Sequence, residues 1–177
     1  MEVKRIVVGP LQTNCYLIIK DNRVLIIDPG DDFLKIKNAV GTKEVVGVIV
    51  THYHFDHIGA LEDCLNYYSV NKYDINNLKE GKNKIDIFNF EVIYTPGHKE
   101  DLLSVYFSNE KMLFCGDFIF EDSIGRCDFP GGDFNIMVES IKKILRLDDD
   151  TVIYPGHENA TSMIKERKNL EQYTKNF

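Results

Sequence analysis

The chain has 177 residues, 44% of them hydrophobic, and a formal net charge of −7. That length and apolar fraction suit one domain, 1–177, with a buried core, and the acidic balance argues against nucleic acid or an anionic membrane surface as a partner. No apolar run approaches membrane-spanning length, residues 1–5 carry no leader-like pattern, and Cys15, Cys64, Cys115 and Cys127 form no Cys-x-x-Cys pair, which together predict a cytoplasmic protein with reduced thiols.

Residues 4–8, 15–20 and 23–27 are apolar and β-branched and predict short strands, the third stopping at Asp28-Pro29-Gly30. Phe33, Ile36, Lys37 and Val40 recur at helical spacing over 33–40. The unbroken apolar run 45–50 predicts a strand covered on both faces, and a helix is expected over 58–65. Segment 66–84 is rich in Asn, Lys and Tyr and reads as a solvated excursion. Paired strands are expected at 85–88 and 90–94, and a hairpin from 103–108 and 111–115 turning at Asn109-Glu110. Asp133 is the expected N-cap of a helix over 134–147, with Ile136, Met137, Ile141, Ile144 and Leu145 inward. A last strand, 151–154, and a helix, 161–173, follow the solvated Asp148-Asp149-Asp150.

All five histidines stand where a metal would want them. His52, His54 and His57 share one stretch with Asp56, while His98 closes Thr95-Pro96-Gly97-His98 and His157 closes Tyr154-Pro155-Gly156-His157. Asp117 follows Phe114-Cys115-Gly116. Each group lies just past the C-terminal end of an expected strand, so a shared sheet edge can gather them. A lone histidine would carry little weight, but the dense His52–His57 cluster is a metal-ligand pattern. Imidazole and carboxylate suit zinc first, and also iron or manganese. Two such ions can share a carboxylate and a water and so support hydrolysis.

These motifs resemble the metallo-β-lactamase-fold hydrolases, and within them the glyoxalase II-like (hydroxyacylglutathione hydrolase-like) group. The resemblance rests on His52-Tyr53-His54-Phe55-Asp56-His57, the three later motifs, Ser123-Ile124-Gly125-Arg126-Cys127-Asp128 and Pro130-Gly131-Gly132-Asp133, and runs from about Asn14 to Asn169. It implies an α/β protein built as an αββα four-layer sandwich. It implies that His52, His54 and His98 hold one divalent metal, that Asp56, His57 and His157 hold a second, and that Asp117 bridges them. Asp56 would also act catalytically by orienting a bridging hydroxide. Asp28 resembles a position that supports the ligands, although a plain turn residue is the competing reading. The chain departs from that group in one expected respect: it reads as a short form without the helical domain that helps glyoxalase II bind glutathione. Cys115 and Cys127 stand where Thr or Ser is common and read as small buried residues.

The activity so implied is hydrolysis of a small-molecule thioester. Arg126 is a candidate anchor for a substrate carboxylate, with a loop-fixing salt bridge to Asp128 as the alternative. An iron-dependent persulfide dioxygenase and a lactonase or small-ester hydrolase are the alternative activities. A nuclease, a flavodiiron reductase and a β-lactamase are disfavoured by charge, by His54 and by the Asp56-His57 pair respectively.

Overall fold

A computed structural model describes residues 1–175. Two sheets lie face to face between helices. The first has the order β1-β2-β3-β4-β5, formed by β1 (Glu2–Val8), β2 (Thr13–Lys20), β3 (Arg23–Ile27), β4 (Glu44–Ile49) and β5 (Lys72–Tyr73). The second has the order β13-β12-β9-β8-β7-β6, from β6 (Gly81–Ile85), β7 (Phe88–Tyr94), β8 (Leu103–Phe107), β9 (Met112–Gly116), β12 (Val152–Pro155) and β13 (Thr161–Ser162). A small β10 (Ile119–Phe120) and β11 (Ser123–Ile124) pair stands apart. The helices are α1 (Phe33–Val40), α2 (Phe55–Ile58), α3 (Leu61–Tyr68), α4 (Phe134–Ile144) and α5 (Met163–Thr174).

Side-chain alternation explains the layers. On β2, Cys15, Leu17 and Ile19 face α1 and α3, while Tyr16 and Ile18 face the second sheet. On β3, Val24 and Ile26 point outward to the helices, and Leu25 and Ile27 point inward. On β9, Met112 and Phe114 enter the inter-sheet core, whereas Leu113 and Cys115 pack with Met137 and Ile141 of α4. Strands sandwiched this way have no polar face, which is why they read as unbroken apolar runs. Truncating a fully buried ring such as Phe114 to Ala would cost about 3–5 kcal/mol. The αββα order matches the expected fold class.

Several elements depart from the sequence reading. The expected helix over 58–65 is two helices, broken at Gly59 and Ala60. The break lies against the Asp28-Pro29-Gly30 turn: Ala60 N–H donates to the Pro29 carbonyl at 2.9 Å, and a Cβ on Gly59 would stand 2.2 Å from the Gly30 carbonyl oxygen. The strand expected at 85–88 is a turn instead, with Asp86 at φ +49°, and the hairpin pairs Ile85 with Phe88. Segment 66–84 is more than a solvated excursion: it supplies β5 and β6, and buries Leu78 and Asp74. Asp133 caps α4 as expected, accepting from Ile136 N–H at 3.0 Å. Ile136 itself is exposed and Val138 is buried: the two lie on opposite flanks of the inward stripe of Met137, Ile141 and Ile144, and it is the Val138 flank that is covered. Among the described residues no helix is long and apolar enough to cross a membrane.

Candidate metal centre

The expected donors converge at one edge of the sandwich, past the ends of β4, β7, β9 and β12. Local chemistry places each loop. The last loop is held against the start of β2, where Asn14 N–H donates to the Gly156 carbonyl at 2.7 Å and the Tyr16 hydroxyl donates to the Pro155 carbonyl at 2.7 Å. Gly156 is required there, since a Cβ would lie 2.2 Å from Asp117 Oδ1 and 2.6 Å from His57 Cε1. The loop after β7 is tied to α4 by Ser140, whose hydroxyl donates to the Pro96 carbonyl at 2.6 Å.

Two clusters result. In the first, His54 Nδ1 lies 3.0 Å from His52 Nε2 and 2.9 Å from His98 Nε2, and Asp117 Oδ2 lies 3.6 Å from His98 Nε2. In the second, Asp56 Oδ2 lies 3.2 Å from His157 Nε2 and 3.7 Å from His57 Nε2. Asp117 reaches this cluster too, with Oδ1 3.3 Å from His57 Nε2 and Oδ2 3.5 Å from His157 Nε2. A tetrahedral ion with bonds of about 2.0–2.1 Å sets its ligand atoms about 3.3–3.4 Å apart, so these spacings fit ligand shells.

The outer partners fix which nitrogen faces inward. His57 Nδ1 donates to Asp28 Oδ2 at 2.9 Å, His98 Nδ1 to the Arg126 carbonyl at 2.8 Å, and His157 Nδ1 to the Leu11 carbonyl at 3.1 Å. The Thr51 hydroxyl donates to Asp28 at 2.6 Å, leaving its oxygen to accept from His52 Nδ1 at 3.1 Å. In the neutral ring each of these four histidines therefore turns a bare Nε2 lone pair to the centre, the arrangement of metal-bound imidazoles.

Two inward atoms, His57 Nε2 and Asp117 Oδ1, are buried without a hydrogen-bond partner. Opposed lone pairs in a buried site are unfavourable unless a cation lies between them. The field has the matching sign. Burial pushes the His57 pKa down, but Asp117 and Asp28 reverse this and bring it up to about 10. His157 follows to about 9, with burial again opposing and Asp117 and Asp56 prevailing. Burial opposes ionisation of Asp56 as well, yet His157, His57 and the Thr13 hydroxyl hold it at about 2. His52 is held well below its ordinary value by burial and by its histidine neighbours. Carboxylates that would capture protons on His57 and His157 would equally attract divalent cations. The donor set fits metal ions, and the His/Asp cluster is a metal-binding one.

The matches to known proteins agree. A family model described as Metallo-beta-lactamase superfamily matches residues 8–76 and 66–157. The chain belongs to the metallo-β-lactamase superfamily. This superfamily member is 30% identical to "Probable metallo-hydrolase YqgX" of Bacillus subtilis (strain 168), over 94% of this chain and 95% of that protein. It is 29% identical to "Hydroxyacylglutathione hydrolase GloC" of Haemophilus influenzae, over 95% of this chain and 96% of the relative. Among solved structures, BLEG-1 B3 metallo-beta-lactamase superposes with a TM-score of 0.93 at 30% identity, covering 98% of this chain and all of the other. TTHA1623 in a di-iron-bound form superposes at 0.86 with 28% identity, covering 94% of this chain and 98% of that one.

The expected donors, Asp28 and Arg126 are brought together at this edge. Asp28 is buried and accepts from Thr51 N–H, the Thr51 hydroxyl and His57, so it is more than a turn residue. Arg126 lines the cavity above the donors, but its guanidinium is bidentate to Asp128, at 2.8 and 2.7 Å. Cys115 is buried, and burial pushes its thiol up to about 12, while Cys127 is half-buried. The sequence reading missed Thr13, whose hydroxyl donates to Asp56 Oδ2 at 2.8 Å, and it missed Leu11, Phe120 and Phe129, which line the cavity. Nothing in their sequence settings marks them, because they reach the centre only through the fold.

Proposed function

We propose that this chain is a dinuclear metal-dependent hydrolase of thioesters, the reaction class of hydroxyacylglutathione hydrolases. The observation that carries this reading is Asp117, whose two oxygens lie 3.6 Å from His98 Nε2 and 3.3 Å from His57 Nε2, between the two clusters. His52, His54 and His98 would hold one ion and Asp56, His57 and His157 the other, with Asp117 shared and Asp28 orienting His57. Zinc suits these donors first, and iron or manganese suits them too. When bound, such ions supply Lewis acidity and lower the pKa of a water from about 15.7 towards ~7.

The chain's own residues do the rest. Asp56, held by Thr13, accepts a hydrogen bond from the attacking water and so aims it at the thioester carbonyl. The cavity of about 750 Å³ above the donors has room for the ester. The leaving thiol has a pKa of about 8.5, so it departs as thiolate without a dedicated acid. A relative named as a hydroxyacylglutathione hydrolase, matched along nearly its whole length, supports the class. Cysteines left as free thiols, with Cys15, Cys64 and Cys115 buried and Cys127 half-buried, suit a reducing compartment such as the cytoplasm.

The test is metal analysis of the purified protein followed by parallel assays. Two metals per chain with thioester turnover, both reduced in Asp117→Ala, is the expected result. One iron per chain with oxygen uptake on glutathione persulfide would replace this reading with a persulfide dioxygenase. Opening of a β-lactam, the activity named for BLEG-1, without thioester turnover would replace it with that activity.

A further inference from the structure

The cavity over the metal-binding side chains has a wall whose chemistry is at odds with a highly charged substrate. Leu11 comes from the turn between β1 and β2, Phe55 opens α2, Phe120 ends β10, and Phe129 lies in the loop before α4. Four distant segments thus deliver large apolar side chains to one opening. Leu11 is 51% exposed, Phe55 74% and Phe129 42%. Single exposed apolar residues are ordinary, but a cluster around a catalytic opening marks a surface that a ligand covers. The rings flank both clusters: Phe129 stands edge-on to His54, centroids 6.4 Å apart, and Phe120 lies 6.3 Å from His157. A substrate carbonyl held between the clusters would have an apolar wall on either side.

The cationic residues of the lining are already engaged. Lys99 Nζ lies 3.0 Å from Asp101 Oδ1. Arg126 is bidentate to Asp128, and its guanidinium carbon stacks 3.8 Å over the Phe129 ring. A guanidinium forked onto one carboxylate and laid on a ring braces that ring, and has its best carboxylate-binding face occupied. Glutathione brings two carboxylates and one ammonium, and the wall offers its carboxylates no cationic side chain that lacks a carboxylate partner already.

We infer that the preferred substrate is a thioester with hydrocarbon or aromatic substituents, and that Leu11 and Phe129 select it, with Arg126 positioning Phe129. This rests on the thioesterase reading above and names its substrate class. Burying such a substituent against the wall is favourable through loss of water-exposed apolar area, whereas a glutathione conjugate would have to compete with Asp128 for Arg126.

The experiment uses the metal-loaded full chain and two esters, S-phenylacetyl-N-acetylcysteamine and S-lactoylglutathione. The expected kcat/KM is about tenfold or more higher for the first, and that preference should fall about fivefold in Phe129→Ser and in Leu11→Ser. Metal content and circular dichroism of both variants establish that they fold and load. Equal or faster turnover of S-lactoylglutathione overturns the apolar assignment and leaves the thioesterase reading standing. A preference that neither substitution moves also overturns it, since discrimination would then lie elsewhere. No turnover of either ester by fully loaded protein overturns the thioesterase reading, and this one with it.

Discussion

Asp28 and His57 are 29 positions apart in the chain, yet Asp28 Oδ2 accepts a buried hydrogen bond from His57 Nδ1 at 2.9 Å. The same carboxylate accepts from the Thr51 amide at 2.7 Å and the Thr51 hydroxyl at 2.6 Å, and that hydroxyl in turn faces His52. One carboxylate therefore sets the ring orientation of a histidine in each cluster. Asp28→Asn keeps the volume but removes the charge and one acceptor. Metal affinity should fall about 10–100-fold. Competition titration against a chromophoric chelator reads this directly, and an unchanged affinity would show that Asp28 orients nothing.

Removing metal should loosen the edge of the sandwich. His57 Nε2 and Asp117 Oδ1 are buried there without partners, and a bound ion would relieve both. A ligand that binds only the folded chain stabilises it by about 4.1 kcal/mol at a thousand times its Kd. The melting temperature should therefore drop on dialysis against a chelator and recover on adding zinc. In Asp117→Ala most of this difference should vanish. A melting curve indifferent to chelation in the wild type would contradict metal binding.

Gly156→Ala tests the close packing of the two clusters. Its new methyl group would sit 2.2 Å from Asp117 Oδ1, well inside contact distance, so either Asp117 or the Tyr154–His157 loop must move. A misplacement of about 1 Å near reacting groups can cost 100-fold in rate. The expected outcome is a loss of activity of that order with the bulk fold retained by circular dichroism. Near-normal activity would mean that the loop has slack that this packing does not suggest.

Away from the centre, Asp74 is buried and accepts from the Tyr53 hydroxyl at 2.5 Å and the Asn76 amide at 2.8 Å, with Lys72 Nζ 3.0 Å away. Burial raises its pKa, but those bonds outweigh it and leave the carboxyl below its ordinary 3.8. A lowered folded pKa stabilises the native state above the unfolded value, and that stabilisation is lost as pH falls through the folded one. Asp74→Ala should cost about 1.5–3 kcal/mol at pH 7. The gap to wild type should narrow below the usual carboxylate range. Urea unfolding at pH 7 and pH 3, both in chelator so that metal loss does not contribute, measures it. A gap that stays constant with pH would mean the charge of Asp74 is immaterial.

Strand β3 and helix α1 lie where hydrophobic spacing puts them, because each is set by contacts repeated along its own length. Ile85 to Phe88 shows the limit of such spacing. Its apolar residues suit a strand, but the left-handed Asp86 turns the chain so that Ile85 faces Phe88 across a hairpin. The helix broken at Gly59 shows another. Gly59 is a weak point in that helical pattern, but that Gly30 of a distant turn is what packs against it appears only in the fold.

The sequence alone named the candidate donors, since imidazole and carboxylate chemistry is carried by residue identity and all five histidines follow strand ends. It also set the sandwiched strands, whose unbroken apolar runs leave no face for water. Only the tertiary structure decided which nitrogen of each ring faces the centre, that Asp117 reaches both clusters, and that Leu11, Phe120 and Phe129 wall the cavity. Those properties depend on distances and angles between residues far apart in the chain, and such geometry exists only once the two sheets have packed.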